Sequence, residues 1–244
     1  MKASPEAQRR LLDLQAVDTA LAQLAHRRKS LPELAEIDTV SRELSALADE
    51  RARAQVAVDD IDRDITRFEK DIEQVRQRKE KDQKRLDAGG ALREIEGLQH
   101  ELATLNRRQS ELEDAELELM EQKETAETTL TEVTARLAAA SSRREEAERR
   151  RDEALTDITK EQEFKSASRG PLAADLPADL VTLYDKIRLD SGLGAALFRS
   201  GRCGGCRIEL YGADLARVKS AAADDVVRCE ECRRIMVRTT ESGL

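Results

Sequence analysis

Leu86-Asp87-Ala88-Gly89-Gly90-Ala91-Leu92 interrupts an otherwise sustained heptad pattern, and it decides the fold of what flanks it. Before it, apolar residues recur at heptad a (Ile37, Leu44, Val58, Ile65, Ile72) and d (Val40, Leu47, Ile61, Phe68, Val75). After it, the pattern resumes with Ile95, Leu102, Leu130 and Leu137 at a, and Leu98, Leu105, Leu112, Leu119, Val133 and Ala140 at d. A seven-residue apolar repeat is the signature of a coiled coil. The Gly pair is a helix stop. Two long helices joined by so short a turn run antiparallel. A hairpin folded at Ala88-Gly89 places Leu44 opposite Val133, Ile65 opposite Leu112, Phe68 opposite Gln109 and Ile72 opposite Leu105.

Towards the N-terminus the register slips by two residues at Leu31-Pro32-Glu33. Proline disrupts a helix interior, so Pro32 reads as a kink or break. Looping out two residues there sets Val17 opposite Ile158 and Leu21 opposite Ala154. Arg51, Lys79, Gln109, Glu116 and Lys123 are polar intrusions at a positions, of the kind that set register or oligomer state. The expected architecture is mainly α. A long antiparallel coiled-coil hairpin occupies residues 1–170, and a helical connector with a small zinc ribbon occupies 171–244.

Composition agrees with that reading. Of 244 residues, 38% are charged, 39% hydrophobic and only 2% aromatic, with four Pro, eleven Gly and no Trp. Large cores lean on aromatic burial, and loop-rich folds need more breakers than this. No run approaches the ~20 apolar residues that span a bilayer. No apolar segment of a secretory signal follows Met1. The expected compartment is the cytoplasm, with no membrane partner.

The net charge is −8, which disfavours nucleic-acid binding by the chain as a whole, since phosphate neutralisation drives that binding. Two stretches depart from the average. Arg76 to Arg85 carries Arg76, Arg78, Lys79, Lys81, Lys84 and Arg85 against Glu80 and Asp82. Such a basic tip suits an acidic protein or a phosphate backbone, although a solvated helix face has the same composition. Residues 199–238 hold nine basic and six acidic side chains.

That second stretch also holds all four cysteines, as Cys203-Gly204-Gly205-Cys206 and Cys229-Glu230-Glu231-Cys232, 22 residues apart. Two matched CxxC knuckles deliver four thiolates to the corners of a tetrahedron, which is the donor set of one structural Zn2+. No βαβ pattern surrounds either pair, so a thioredoxin-like dithiol is the weaker reading. Four cysteines leave no open position for a catalytic water. A helix is expected from Pro177 to Ser191-Gly192, with apolar Leu180, Leu183, Tyr184 and Ile187 on one face. Short strands are expected at Ala195–Phe198, Ile208–Leu210, Val226–Arg228 and Ile235–Arg238, with a helix at Ala213–Ser220.

No phosphate-binding Gly loop, nucleophile elbow or paired catalytic carboxylates occur. The expectation is therefore no enzyme and no small-molecule substrate. Partner contact is expected at Arg202, Arg207, Arg233 and Arg234 of the ribbon and at Arg78, Lys81, Lys84 and Arg85 of the tip. Tyr211 alone lies between the knuckles as an aromatic, giving little base-stacking capacity.

The hairpin, its Gly-bearing tip and the four-Cys end together resemble the bacterial coiled-coil C4-type zinc-ribbon family, from about Leu11 to Arg238. Arg93-Glu94-Ile95, Leu98-Gln99-His100-Glu101 and Leu112-Glu113-Asp114 resemble the family's stretch past the tip. Leu183-Tyr184-Asp185-Lys186-Ile187-Arg188 resembles the helix before its ribbon. The resemblance maps Cys203, Cys206, Cys229 and Cys232 onto the zinc ligands. It departs at the second knuckle, where the family commonly has Pro and Gly in place of Glu230 and Arg233. Some members resemble chaperones or adaptors of flagellar or type III secretion systems, and others are linked to an alternative sigma factor or to RNA. The resemblance thus implies a non-catalytic, chaperone-like adaptor that binds protein through its coiled coil. The alternative is a nucleic-acid-binding regulator acting through ribbon and basic patches. An excess of Arg over Lys suggests a GC-rich genome, such as an actinobacterial one, where flagella are often absent, so the secretion role does not simply carry over.

Overall fold

The computed structural model describes residues 1–243. Its elements are helices α1 (Pro5–Lys29), α2 (Pro32–Asp87), α3 (Leu92–Ala174), α4 (Ala178–Ser191) and α5 (Gly212–Ser220), and strands β1 (Ala195–Arg199), β2 (Arg202–Cys203), β3 (Val227–Arg228) and β4 (Ile235–Val237). Pro32 starts a new helix rather than kinking one, its missing N–H costing nothing at the first helical position. Contacts divide the chain into two compact units, Ala35–Glu148 and Met1–Leu34 with Arg149–Leu244. This line differs from the change of sequence pattern at residue 170, because α1 and the end of α3 cluster with the ribbon.

In the unit Ala35–Glu148, α2 stops at Asp87 and α3 starts at Leu92, with Gly89 at φ +78° in the left-handed region open to glycine. The helices run antiparallel, but their register is one heptad away from the expected one. Val40, Leu47 and Ala140 form a cluster with Leu44 and Leu137 packed against it, so Leu44 meets the Ala140 layer and not Val133. Ion pairs flanking the seam follow the same register: Glu43 with Arg143 at 2.7 Å, Glu50 with Arg136, and Arg76 with Glu113 at 3.0 Å. A shift of seven residues leaves every a-to-d layer intact, so periodicity alone does not distinguish the two alignments. The paired charges do.

The other unit is built around α1. Its N-cap Ser4 accepts the Ala7 N–H, and Pro5 occupies the first turn. Ala7, Leu11 and Leu14 are buried against Leu180, Tyr184 and Ile187 of α4, Ala195 of β1, and Ile235 and Val237 of β4. Each fully buried Leu contributes about 1.5–3 kcal/mol. Leu24 and Leu31 pack on Ile158, with Ala154 and Leu155 beside them. The layers Val17–Ile158 and Leu21–Ala154 expected from sequence are not formed. Asp18 instead lies beside Arg169, which draws α1 further along α3.

Helix α3 also passes through Arg169-Gly170-Pro171, where the heptads end, and continues to Ala174. A proline inside a helix costs about 3 kcal/mol. Leu172 and Ala173 pack on the α1–α4 core, and Arg169 is tied to Asp18 and Asp185, which offsets that cost.

The sheet order is β2-β1-β4-β3, with β1 parallel to β4 and the outer pairs antiparallel. Strand β4 shows period-two alternation. Ile235 and Val237 face the α1–α4 core, and Met236 faces a second core of Phe198, Leu210, Val218, Val227 and the cysteines. The strand expected at Ile208–Leu210 reduces to one bridge between Arg202 and Glu209. Arg207 turns the chain at φ +64°, Leu210 enters the second core, and α5 begins at Gly212.

A four-cysteine metal centre

Each knuckle hangs from a strand end. Cys203 closes β2, and Cys229 follows β3. The Cys203 N–H donates to the Ile208 carbonyl at 3.1 Å, and the Cys229 N–H to the Arg234 carbonyl at 3.0 Å. The Arg207 N–H donates to the Cys203 carbonyl at 2.7 Å, and the Arg233 N–H to the Cys229 carbonyl at 2.9 Å. The two knuckles are therefore the same local structure used twice. Gly204 is required by close approach: a Cβ there would lie 2.6 Å from the Leu197 carbonyl oxygen, to which its N–H donates.

Four sulfur atoms converge to within 4.8 Å of one another. Cys203 Sγ is 3.7 Å from Cys232 Sγ, and Cys206 Sγ 3.9 Å from Cys229 Sγ. Backbone N–H groups of Gly205 and Cys206 point at Cys203 Sγ, and those of Glu231 and Cys232 at Cys229 Sγ. Burial first, and the neighbouring cysteines with it, push the Cys203 thiol up to about 12 against the opposing pull of these N–H groups, and burial raises Cys229. A divalent cation reverses this by holding the sulfurs as thiolates, and the N–H groups spread the resulting negative charge. Soft tetrahedral sulfur donors fit zinc, and four of them complete its coordination.

At Arg233, where the resemblance leads one to expect Gly, the second knuckle has the same geometry as the first. Arg233 adopts φ +63° and Arg207 φ +64°. Two arginines accept the left-handed conformation at a cost of about 1–2 kcal/mol each.

A model of the CT398-like coiled coil hairpin domain matches residues 14–192, and one of the C4-type zinc ribbon domain matches residues 202–236. The chain belongs to the CT398-like coiled-coil hairpin family. Its ribbon is a C4-type zinc ribbon holding one structural zinc. An uncharacterized protein of Mycobacterium tuberculosis is 38% identical over 239 residues, covering 98% of each chain. A solved structure from Mycobacterium smegmatis is 37% identical, with TM-score 0.86 over 98% of this chain and 100% of that one. CT398 of Chlamydia trachomatis shares the fold at 19% identity, with TM-score 0.68 over 96% and 98%.

Around the zinc ribbon of this CT398-like chain, the other expected contact residues have diverse surroundings. Arg202 pairs with Glu209 at 2.7 Å. Arg234 donates to the Leu193 and Ser191 carbonyls and so caps α4. Arg207 and Arg233 are exposed and have no carboxylate partner among the described residues. At the hairpin tip, Arg78 pairs with Glu101 at 2.6 Å and with Asp82, and Arg85 pairs with Glu94 and Asp82. Lys84 pairs with Glu80 at 2.6 Å, and Lys81 is exposed without an ion pair among the described residues.

Two structural groups escape sequence reasoning. Arg238 donates from Nη1 and Nη2 to the carbonyls of Val218, Ala221, Ala222 and Asp225, closing the C-terminus of α5. Asp18, 3% exposed at its side chain, accepts from Arg169 Nε at 2.7 Å and Tyr184 Oη at 2.8 Å, with Arg188 at 3.3 Å. Burial and the bond to Asp18 both push the Tyr184 hydroxyl up, so it stays a donor. Among the described residues, no helix is long and apolar enough to cross a membrane.

Proposed function

We propose that the protein is a non-catalytic, cytoplasmic adaptor that binds other proteins through its hairpin, with the zinc ribbon as a second docking head. One observation carries this reading. In Ala35–Glu148 the a/d layers of Val40, Leu47 and Ala140 are buried within one chain and flanked by ion pairs, while Val56, Leu117 and Met120, none of them at a or d, remain exposed. A hairpin that needs no second copy to bury its seam keeps its outer faces for a partner. The zinc supports this by holding the ribbon's shape, since so small a core depends on its metal.

A second reading, a nucleic-acid-binding regulator, is favoured by Arg207 and Arg233. Both are exposed without a carboxylate partner among the described residues, and they occupy equivalent places in the two knuckles. Against it, the basic tip spends Arg78, Lys84 and Arg85 on carboxylates of its own hairpin. Affinity purification of the tagged native protein, split into nuclease-treated and untreated halves, separates the readings. The adaptor reading expects a protein set that survives nuclease. Partners lost on nuclease treatment, with RNA or DNA recovered, overturn it in favour of the second.

A further inference from the structure

We propose that the groove beside Leu117 and Met120 docks a basic amphipathic helix of a partner protein; this deepens the adaptor reading and rests on it. Leu117 and Met120 stand at i and i+3 on α3, so they share a helix face. They are 59% and 52% exposed. Neither stands at an a or d position of the heptads. Together with Ile65 of α2 they line an open groove of about 640 Å³.

The surroundings of that groove define its occupant. It is also lined by Glu69, Glu116, Glu121, Glu124 and Glu127, with Lys123 the one cation of the lining. Lys123 is already engaged, at 2.6 Å from Asp62 and 3.7 Å from Glu127. Glu69, Glu116, Glu121 and Glu124 have no cationic partner among the described residues, although paired carboxylates are common elsewhere on the hairpin. An apolar strip bordered by unneutralised carboxylates is complementary to a helix with Leu-type side chains on one face and Lys or Arg at its margins. An acidic helix would meet repulsion along the whole groove, and a purely apolar segment would leave the carboxylates desolvated without a partner.

The test uses the full-length, zinc-loaded protein and a fluorescein-labelled amphipathic helical peptide with Leu on one face and Lys on the other. Controls are a scrambled peptide of the same composition and one with Glu in place of Lys. The proposal expects saturable binding of the Lys peptide that weakens with salt. Leu117→Ser with Met120→Ser, at unchanged charge, should weaken it at least about tenfold. Glu121→Lys with Glu124→Lys should weaken it further. All four side chains are exposed, so circular dichroism should be unchanged. Equal binding of the scrambled peptide, or no effect of the Ser pair, overturns the proposal and leaves only attraction to an acidic protein. Sedimentation that shows self-association abolished by the Ser pair overturns it in favour of a second copy. The adaptor reading fails separately. If the Ser-pair variant keeps every nuclease-resistant partner, the groove is wrong and the adaptor stands. If the wild type has no such partner, the adaptor itself is wrong.

Discussion

Asp18 and Arg169 form a 2.7 Å ion pair that joins the N-terminal helix to the last turns of α3, with Tyr184 of α4 donating to the same carboxylate at 2.8 Å. The carboxylate is buried, and the cations at its edge are Arg169 and Arg188. Removing one member of such a cluster strands the others. Asp18→Asn should therefore cost about 2–3 kcal/mol, after discounting for the partial exposure of both arginines. Hydrogen exchange is the direct readout: protection should fall in α1 and α4 and stay unchanged between residues 40 and 140.

The zinc site predicts a pH dependence with a defined sign. Burial raises the Cys203 and Cys229 thiols, so metal binding displaces protons from them. Zinc affinity should rise with pH and collapse on acidification, as a chromophoric chelator titrated across pH will report. Elemental analysis should give one zinc per chain. Cys203→Ser or Cys229→Ser should release it and unprotect the amides of residues 195–237, because both sulfurs belong to the second core.

Arg207 and Arg233 predict stabilisation by glycine. Each holds φ near +64°, and no side-chain hydrogen bond or ion pair compensates it among the described residues. Arg207→Gly and Arg233→Gly should each raise stability by about 0.5–1 kcal/mol in thermal melts of the zinc-loaded protein, the relief of strain exceeding the extra chain entropy. A loss of stability would show that the arginine side chains make contacts that outweigh the strain.

The hairpin register predicts which cysteine pairs cross-link. Leu44→Cys with Ala140→Cys should form an intramolecular disulfide under mild oxidation, and Leu44→Cys with Val133→Cys should not. Electrophoresis with and without reductant reads both.

These elements also mark what the amino-acid sequence discloses. The heptads, the Gly89 turn and the paired CxxC knuckles are local patterns, and they announced the hairpin and the zinc ribbon. The register was hidden because translation by seven residues reproduces the same apolar pattern; Glu43 with Arg143 carried the missing information. The packing of α1 on the ribbon was hidden for a different reason. Gln8, Gln15 and Asp18 look like surface residues of a helix, yet Gln15 Oε1 accepts the Gly194 and Ala195 N–H groups, and Gln8 reaches the Ala223 carbonyl. Arg234 resembled a contact residue and is a helix cap. Polar groups that satisfy distant backbone leave no periodic trace.

The most direct measurement of the central claim is site-specific photo-crosslinking in the native host, with the photoreactive side chain at Met120 in one strain and at Arg207 in another. An adaptor that works through its hairpin should give discrete protein adducts at Met120 that persist after nuclease treatment. Nucleic-acid adducts at Arg207, with no protein captured at Met120, would contradict the account.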